Sequence, residues 1–167
     1  MRESGRLLTA LFLLFVAGCS KEGRTLEWQT VSCPDGRFSV LMPGLPERTT
    51  EPARGGHTFN KLKVIIGGSS YLVGYVIVPK GMNRNVNDFF TELFRPEEWR
   101  ITSESAVHFE GGQGKEAEAV ERKTGERVAV RVIQREMLHC MLIVQAKTAY
   151  LSDPNVQRFF GSFQVTK

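Results

Sequence analysis

The chain has 167 residues, 41% of them hydrophobic, with 22 Lys and Arg against 18 Asp and Glu. That length suits one domain with a proper hydrophobic core. The net charge of +4 is mild, and no dense basic run is interleaved with aromatics, which argues against a nucleic-acid partner.

The chain opens on an apolar run, Leu7 to Cys19, preceded by Arg2 and Arg6. The run is too short to cross a bilayer as a helix, which needs about 20 apolar residues. A basic start, a short apolar segment and small residues before a break predict a secretory signal over residues 1–18. The cysteine directly after Val16-Ala17-Gly18 resembles a bacterial lipobox. That resemblance implies lipidation of Cys19, cleavage before it and acylation of the new amino group. Ser20, in place of the aspartate that marks inner-membrane retention in some bacteria, mildly favours the outer membrane. Removal of residues 1–18 takes Arg2, Arg6 and Glu3, leaving 149 residues with 20 basic against 17 acidic.

Cys19 and residues 20–25 then form a short polar tether. Six extended residues reach about 20 Å, so a folded domain over 26–167 would lie close to the membrane. Each acyl methylene buried in that membrane contributes about 0.8 kcal/mol. With Cys19 lipidated, Cys33 and Cys140 are left as an even pair in an oxidising compartment. Two readings follow from the residues. One is a disulfide closing a loop of over a hundred residues, worth about 4–5 kcal/mol by chain entropy. The other is two separate buried thiols acting as small hydrophobes.

From Leu26 the pattern reads as strands. Residues 27–32 and 37–42 are strands joined at Pro34-Asp35-Gly36, where Pro presets φ and Asp and Gly accept a turn. Pro43-Gly44-Leu45-Pro46 stops the second, and residues 47–56 read as a polar, mobile loop. Strands over 57–66 and 70–78 form the next hairpin around Gly67-Gly68-Ser69. The second of these is apolar on both parities, which predicts a strand in the middle of a sheet, with Gly74 against a close neighbour.

Asn85 is the predicted cap of a helix whose stripe is Val86, Phe89, Phe90, Leu93 and Phe94, ended by Pro96. Strands over 100–109 and 115–122 follow, with a turn at 110–114, and then a strand over 126–135. A two-residue turn at Thr124-Gly125 would set Glu118 opposite Arg131, Ala119 opposite Val130 and Ala117 opposite Val132. One face would carry an ion pair, and the other a floor of alanines beneath the last helix. Residues 138–146 read as a second central strand. Asp153-Pro154 starts a final helix with the stripe Val156, Phe159, Phe160 and Phe163, and residues 162–167 close as an edge strand. The resulting class is α+β, a mostly antiparallel sheet covered by two amphipathic helices.

Catalytic chemistry is hard to find in this pattern. Asp35, Asp88 and Asp153 are each placed for a turn, a first helical turn or a cap. Glu97-Glu98 is the one adjacent carboxylate pair outside a strand, and sequence neighbours usually diverge in space. His57, His108 and His139 are scattered singly, without metal-ligand spacing. His139-Cys140 is the tempting nucleophile pair, yet adjacent strand residues point to opposite faces. Residues 111–115, GGQGK, have a phosphate-loop flavour but join two strands, and Ser69-Ser70 lacks a nucleophile elbow. Arg127, Arg131 and Arg135 could share a face as an anion-binding strip, although a solvated face paired with Glu118 is the simpler reading. Trp28, Trp99, Tyr71 and Tyr75 read as core or rim aromatics.

PDGRFSVLMPGLP resembles the opening of small bacterial exported domains whose first hairpin runs into Met-Pro-Gly-x-Pro. YLVGYVIVP, GGQGKEAEA, RVAVRVI, LHCMLIVQA and FFGSFQV fit the same family pattern, over about residues 27–166. That family has no established biochemical function, and the motifs are turns and stripes. The order of elements is also similar to the PsbP-like sandwich, a fold of exported accessory proteins that usually bind other proteins. The chain departs from the exported-domain pattern at Cys33, Cys140 and the Leu-His-Cys start of its last long strand. The expectation is therefore a membrane-anchored, non-enzymatic binding or accessory module of the cell envelope, with a protein partner there and no metal or cofactor. A thiol-dependent or hydrolytic enzyme using Cys140 and His139, or a carrier of a small hydrophobe, are the alternatives.

Overall fold

A computed structural model describes residues 27–53, 56–79, 85–109 and 112–166, with the side chains of Phe89, Glu92 and Phe109 left aside. The predicted signal (1–18), Cys19 and the tether lie outside the described residues. The elements are β1 (Gln29–Cys33), β2 (Phe38–Met42), β3 (Glu47–Pro52), β4 (Thr58–Ile66), β5 (Ser69–Ile77), α1 (Val86–Leu93), β6 (Trp99–Phe109), β7 (Gly112–Glu121), β8 (Arg127–Arg135), β9 (Leu138–Ala146), α2 (Pro154–Gly161) and β10 (Gln164–Val165).

Seven strands form one sheet in the order β3-β4-β5-β9-β8-β7-β6, and three form a small one, β1-β2-β10. Every described pairing is antiparallel. The large sheet is two meanders, β3-β4-β5 and β6-β7-β8-β9, joined where β5 pairs with β9. Both seam strands are apolar on both parities, as expected for strands covered on each face. The architecture is α+β and mostly antiparallel.

One face of the large sheet packs Tyr71, Val73, Tyr75, Ala129, Ile133, Cys140, Leu142 and Val144 against Phe38, Val40 and Met42 of β2 and Val156, Phe159 and Phe160 of α2. On the other, Val86, Phe90 and Phe94 of the α1 segment pack with Ala117, Ala119, Val128, Val130 and Val132. The two helices are only eight residues each. The expectation of a sheet covered by two helices is thus too simple, because the small sheet roofs much of the first face. The alanine floor also has a different roof from the expected one: α1, not the last helix, lies over Ala117 and Ala119.

Caps form as the sequence dictates. Asn85 Oδ1 accepts from the Asn87 amide at 3.0 Å, and Asp153 Oδ1 accepts from Asn155 and Val156 at 2.7 and 3.4 Å. Turns differ in instructive ways. In the β1–β2 turn the left-handed residue is Arg37 (φ 50), not Gly36. Gly36 is needed for space, since a Cβ there would meet the Phe38 ring at 2.5 Å. Residues 47–52 are an edge strand, correcting the predicted loop; 54–55 lie outside the described residues. All six residues are exposed, so no apolar face announced it, and its charged surface with a terminal Pro52 suits an edge.

The β7–β8 register also differs, by two residues. Glu116 faces Arg131 and Ala117 faces Val130, because the turn spans Arg122–Gly125, closed by Gly125 N–H on Glu121 O at 2.9 Å. A two-residue slip preserves which face each side chain occupies. The β6–β7 turn is shorter than expected, since β7 already begins at Gly112; Glu110 and Gly111 lie outside the described residues. The closing strand is only Gln164–Val165 and joins β2.

Gly74 sits at the seam opposite Met141, and a Cβ there would meet Phe59 Cζ at 2.5 Å and Met141 Cε at 3.2 Å. Gly74→Ala is expected to destabilise the domain by about 1–3 kcal/mol through overpacking, read as a lower urea midpoint. An unchanged midpoint would mean that the Phe59 ring yields freely.

Candidate binding cleft and the buried thiols

Strand alternation puts Arg127, Arg131 and Arg135 on the α2 face of β8. Arg131 donates from Nε to Glu116 Oε1 at 2.6 Å and from Nη1 to the Phe160 carbonyl at 2.7 Å. Arg127 lies 3.7 Å from Glu118 Oε2, and its guanidinium stacks 4.1 Å from the Tyr150 ring centre. Glu118 in turn accepts the Leu151 amide at 2.7 Å. These four charged side chains are 14–21% exposed, so they are not a solvated face. They form a polar clamp that ties residues 150–160 to the sheet, with the Arg131 cation on a carbonyl near the C-terminal end of α2, where the helix dipole favours it. The pairing with Glu116 replaces the expected pairing of Arg131 with Glu118, following from the register.

Arg135 stands apart. It is half-buried, and among the described residues no carboxylate or carbonyl receives its guanidinium. It lines a cleft of about 580 Å³ between β6 and β8 on one side and the end of α2 with β10 on the other. Val107 provides its floor above the buried Ile133, Phe163 and Val165 its roof beneath the buried Phe160, and Arg131 lines it too. Gly114 lies between Val107 and Ile133 in the cross-strand row, leaving that row without a middle side chain. His108 is at the rim, but its register with Gln113 sets its side chain toward the opposite face. A volume of this size is in the range of small-ligand sites.

A second cluster lies between the sheets. Cys33 and Cys140 are both buried thiols in this structure and share one core. Tyr75 is the cross-strand partner of Cys140 and donates its hydroxyl to Asp35 Oδ2 at 2.8 Å. Asp35 thus supports Tyr75 as well as its turn. Burial pushes the Cys33 thiol up, an effect that nearby Arg48 opposes. Burial likewise holds Cys140 well above its ordinary value, and Cys33 adds to it. Tyr75 is raised first by burial and then by its bond to Asp35, and Tyr71 by burial and then Asp153.

The other candidates are not brought together. His139 and Cys140 fall on opposite faces of β9, with Cys140 in the core shared with β1 and His139 buried on the α1 side. Such a thiol is neither ionised nor accessible, as a nucleophile must be. Glu98 is in an ion pair with Arg95 at 2.6 Å. Among the described residues no three His, Cys, Asp or Glu side chains converge as a metal site would require. Gly112, Gly114 and Lys115 lie within β7, where Lys115 pairs with Glu104 and sits over the Phe90 ring. Trp28 and Tyr71 meet edge to face, as do Phe94 and Trp99, so these aromatics are packing groups. Ser69 and Ser70 open β5.

The fold is of the PsbP type. The solution structure of cyanobacterial PsbP (CyanoP) from Synechocystis sp. PCC 6803 matches with a TM-score of 0.56 at 12% identity, covering 90% of this chain and 98% of that one. A Pseudomonas aeruginosa protein of unknown function matches at a TM-score of 0.42 and 10% identity, over 74% of this chain and 85% of that one. No family model matches the chain, and no curated protein matches it. No helix among the described residues is long and apolar enough to cross a membrane.

The raised thiols and phenols set an alkaline limit on stability. Each binds its proton more tightly folded than unfolded, so its contribution is full below the unfolded values of 9.0 for Cys and 10.0 for Tyr. It is lost as pH rises through the folded ones. Urea midpoints should hold between about pH 7 and about pH 8 and fall above about pH 9. Tyr75→Phe should cost about 1 kcal/mol at neutral pH and flatten that fall. A midpoint independent of alkaline pH would contradict this.

Proposed function

We propose that this chain is a lipid-anchored, non-catalytic binding module of the bacterial cell envelope, held near the membrane by Cys19. The Val16-Ala17-Gly18-Cys19 stretch after a basic, apolar start carries the reading. A tether of about 20 Å keeps the domain within reach of the bilayer surface and of proteins there. In this reading the two short helices form outer layers of a PsbP-like sandwich, with the small sheet sharing one layer with α2. The accessory role rests on the fold likeness, and a partner in the envelope is part of the proposal. Carboxylates and arginines that could do chemistry are instead used to hold α2, which favours binding over turnover.

The anchor is tested by Cys19→Ser in the full-length chain. Wild type should fractionate with membranes, with an intact mass lacking residues 1–18 and carrying added acyl groups. The variant should lose both the processing and the acylation. A variant that is processed and partitions as wild type does would refute the anchor.

A further inference from the structure

From the cleft we infer a binding site for an amphipathic anion, a carboxylate or phosphate head on an apolar chain, with Arg135 as its counter-charge. The three arginines of β8 are chemically equivalent in sequence but not in surroundings. Arg127 has Glu118 and the Tyr150 ring, and Arg131 has Glu116 and the Phe160 carbonyl. Arg135, the third, has neither among the described residues, yet it is half-buried at a cleft with polar and apolar lining. An incoming anion would accept charge-assisted hydrogen bonds from a guanidinium that no carboxylate or carbonyl among the described residues engages. The planar guanidinium fork matches carboxylate and phosphate oxygens alike.

The rest of the cleft specifies the other half of the ligand. Val107, Phe163 and Val165 give it partly exposed apolar walls, with Ile133 and Phe160 buried behind them, and Arg135 and Arg131 lie about 13 Å apart along the strand. Because Arg131 is already bonded to Glu116 and Phe160, the head group belongs at Arg135 and the chain lies against Val107, Phe163 and Val165. An inorganic anion would leave those walls bare, and a neutral chain would leave Arg135 unmatched. This site depends on the cleft alone and stands whether or not Cys19 is acylated.

The test is calorimetric titration of the full-length chain in a neutral detergent, with the same detergent as blank. The probes are octanoate, octyl phosphate, inorganic phosphate and octyltrimethylammonium. Saturable binding of octanoate and octyl phosphate is expected, with inorganic phosphate and the cationic amphiphile at least 10-fold weaker. Octanoate and octyl phosphate separate carboxylate from phosphate as the preferred head. Arg135→Gln should weaken the better probe at least 10-fold, while Arg135→Lys should retain part of the affinity. Circular dichroism confirms that each variant folds. The inference is overturned by absent saturation, by equal binding of the cationic probe, by inorganic phosphate binding as tightly as octyl phosphate, or by undiminished binding to folded Arg135→Gln. Cys19→Ser should bind as wild type does, so failure of the anchor and failure of the cleft are distinguishable.

Discussion

The pairing of β5 with β9 holds the molecule together. It joins two antiparallel meanders whose strands are otherwise all sequence neighbours, and it does so across some sixty residues containing α1. Eight residue pairs run from Ser70–Gln145 to Ile77–Leu138. Loop closure on this scale is unfavourable until the contacts form, so the seam must be strongly specified. It is specified on both faces: Tyr71, Val73 and Tyr75 beside Val144, Leu142 and Cys140 on one, and Gly74 beside Met141 on the other. Slipping it by one residue would move each set to the wrong layer.

Everything that could serve a ligand is positioned from that seam. The first face, built on Tyr75 and Cys140, receives the small sheet through Phe38, and Phe38 meets Tyr75 edge to face at 5.1 Å. Phe163 stacks on Phe38 at 5.2 Å, which fixes the end of the α2 segment. Farther along the sheet, the arginines and glutamates of β7 and β8 clamp the start and end of the same segment. The cleft is the space left where α2 ends and β10 turns away to pair with β2. Buried core residues Ile133 and Phe160 lie behind its lining, and among the described residues Arg135 is the arginine of the strip that the clamp does not use.

The cluster of thiols and Tyr75 has a different character. It lies at the centre of the first core, where burial keeps the groups protonated. His139 and Cys140, neighbours in the chain, serve opposite layers. Adjacency in sequence thus separates these side chains, whereas Cys33 and Cys140, over a hundred positions apart, meet in one core.

Local chemistry alone determined much of the fold. Capping at Asn85 and Asp153, turn glycines at 67–68, apolar stripes on both helices and doubly apolar strands at β5 and β9 are properties of a few neighbouring residues. They can be read without knowing what lies opposite. The edge strand β3 could not be read so, because its strand character comes only from the ladder to β4, not from an apolar face. The same holds for the β7–β8 register, set by a four-residue turn, and for the roof of the alanine floor, set by where α1 crosses. The arginine strip was visible as spacing, but spacing is silent on neutralisation. Which arginine is left unpaired among the described residues depends on carboxylates and carbonyls delivered by other elements, and only tertiary packing decides that.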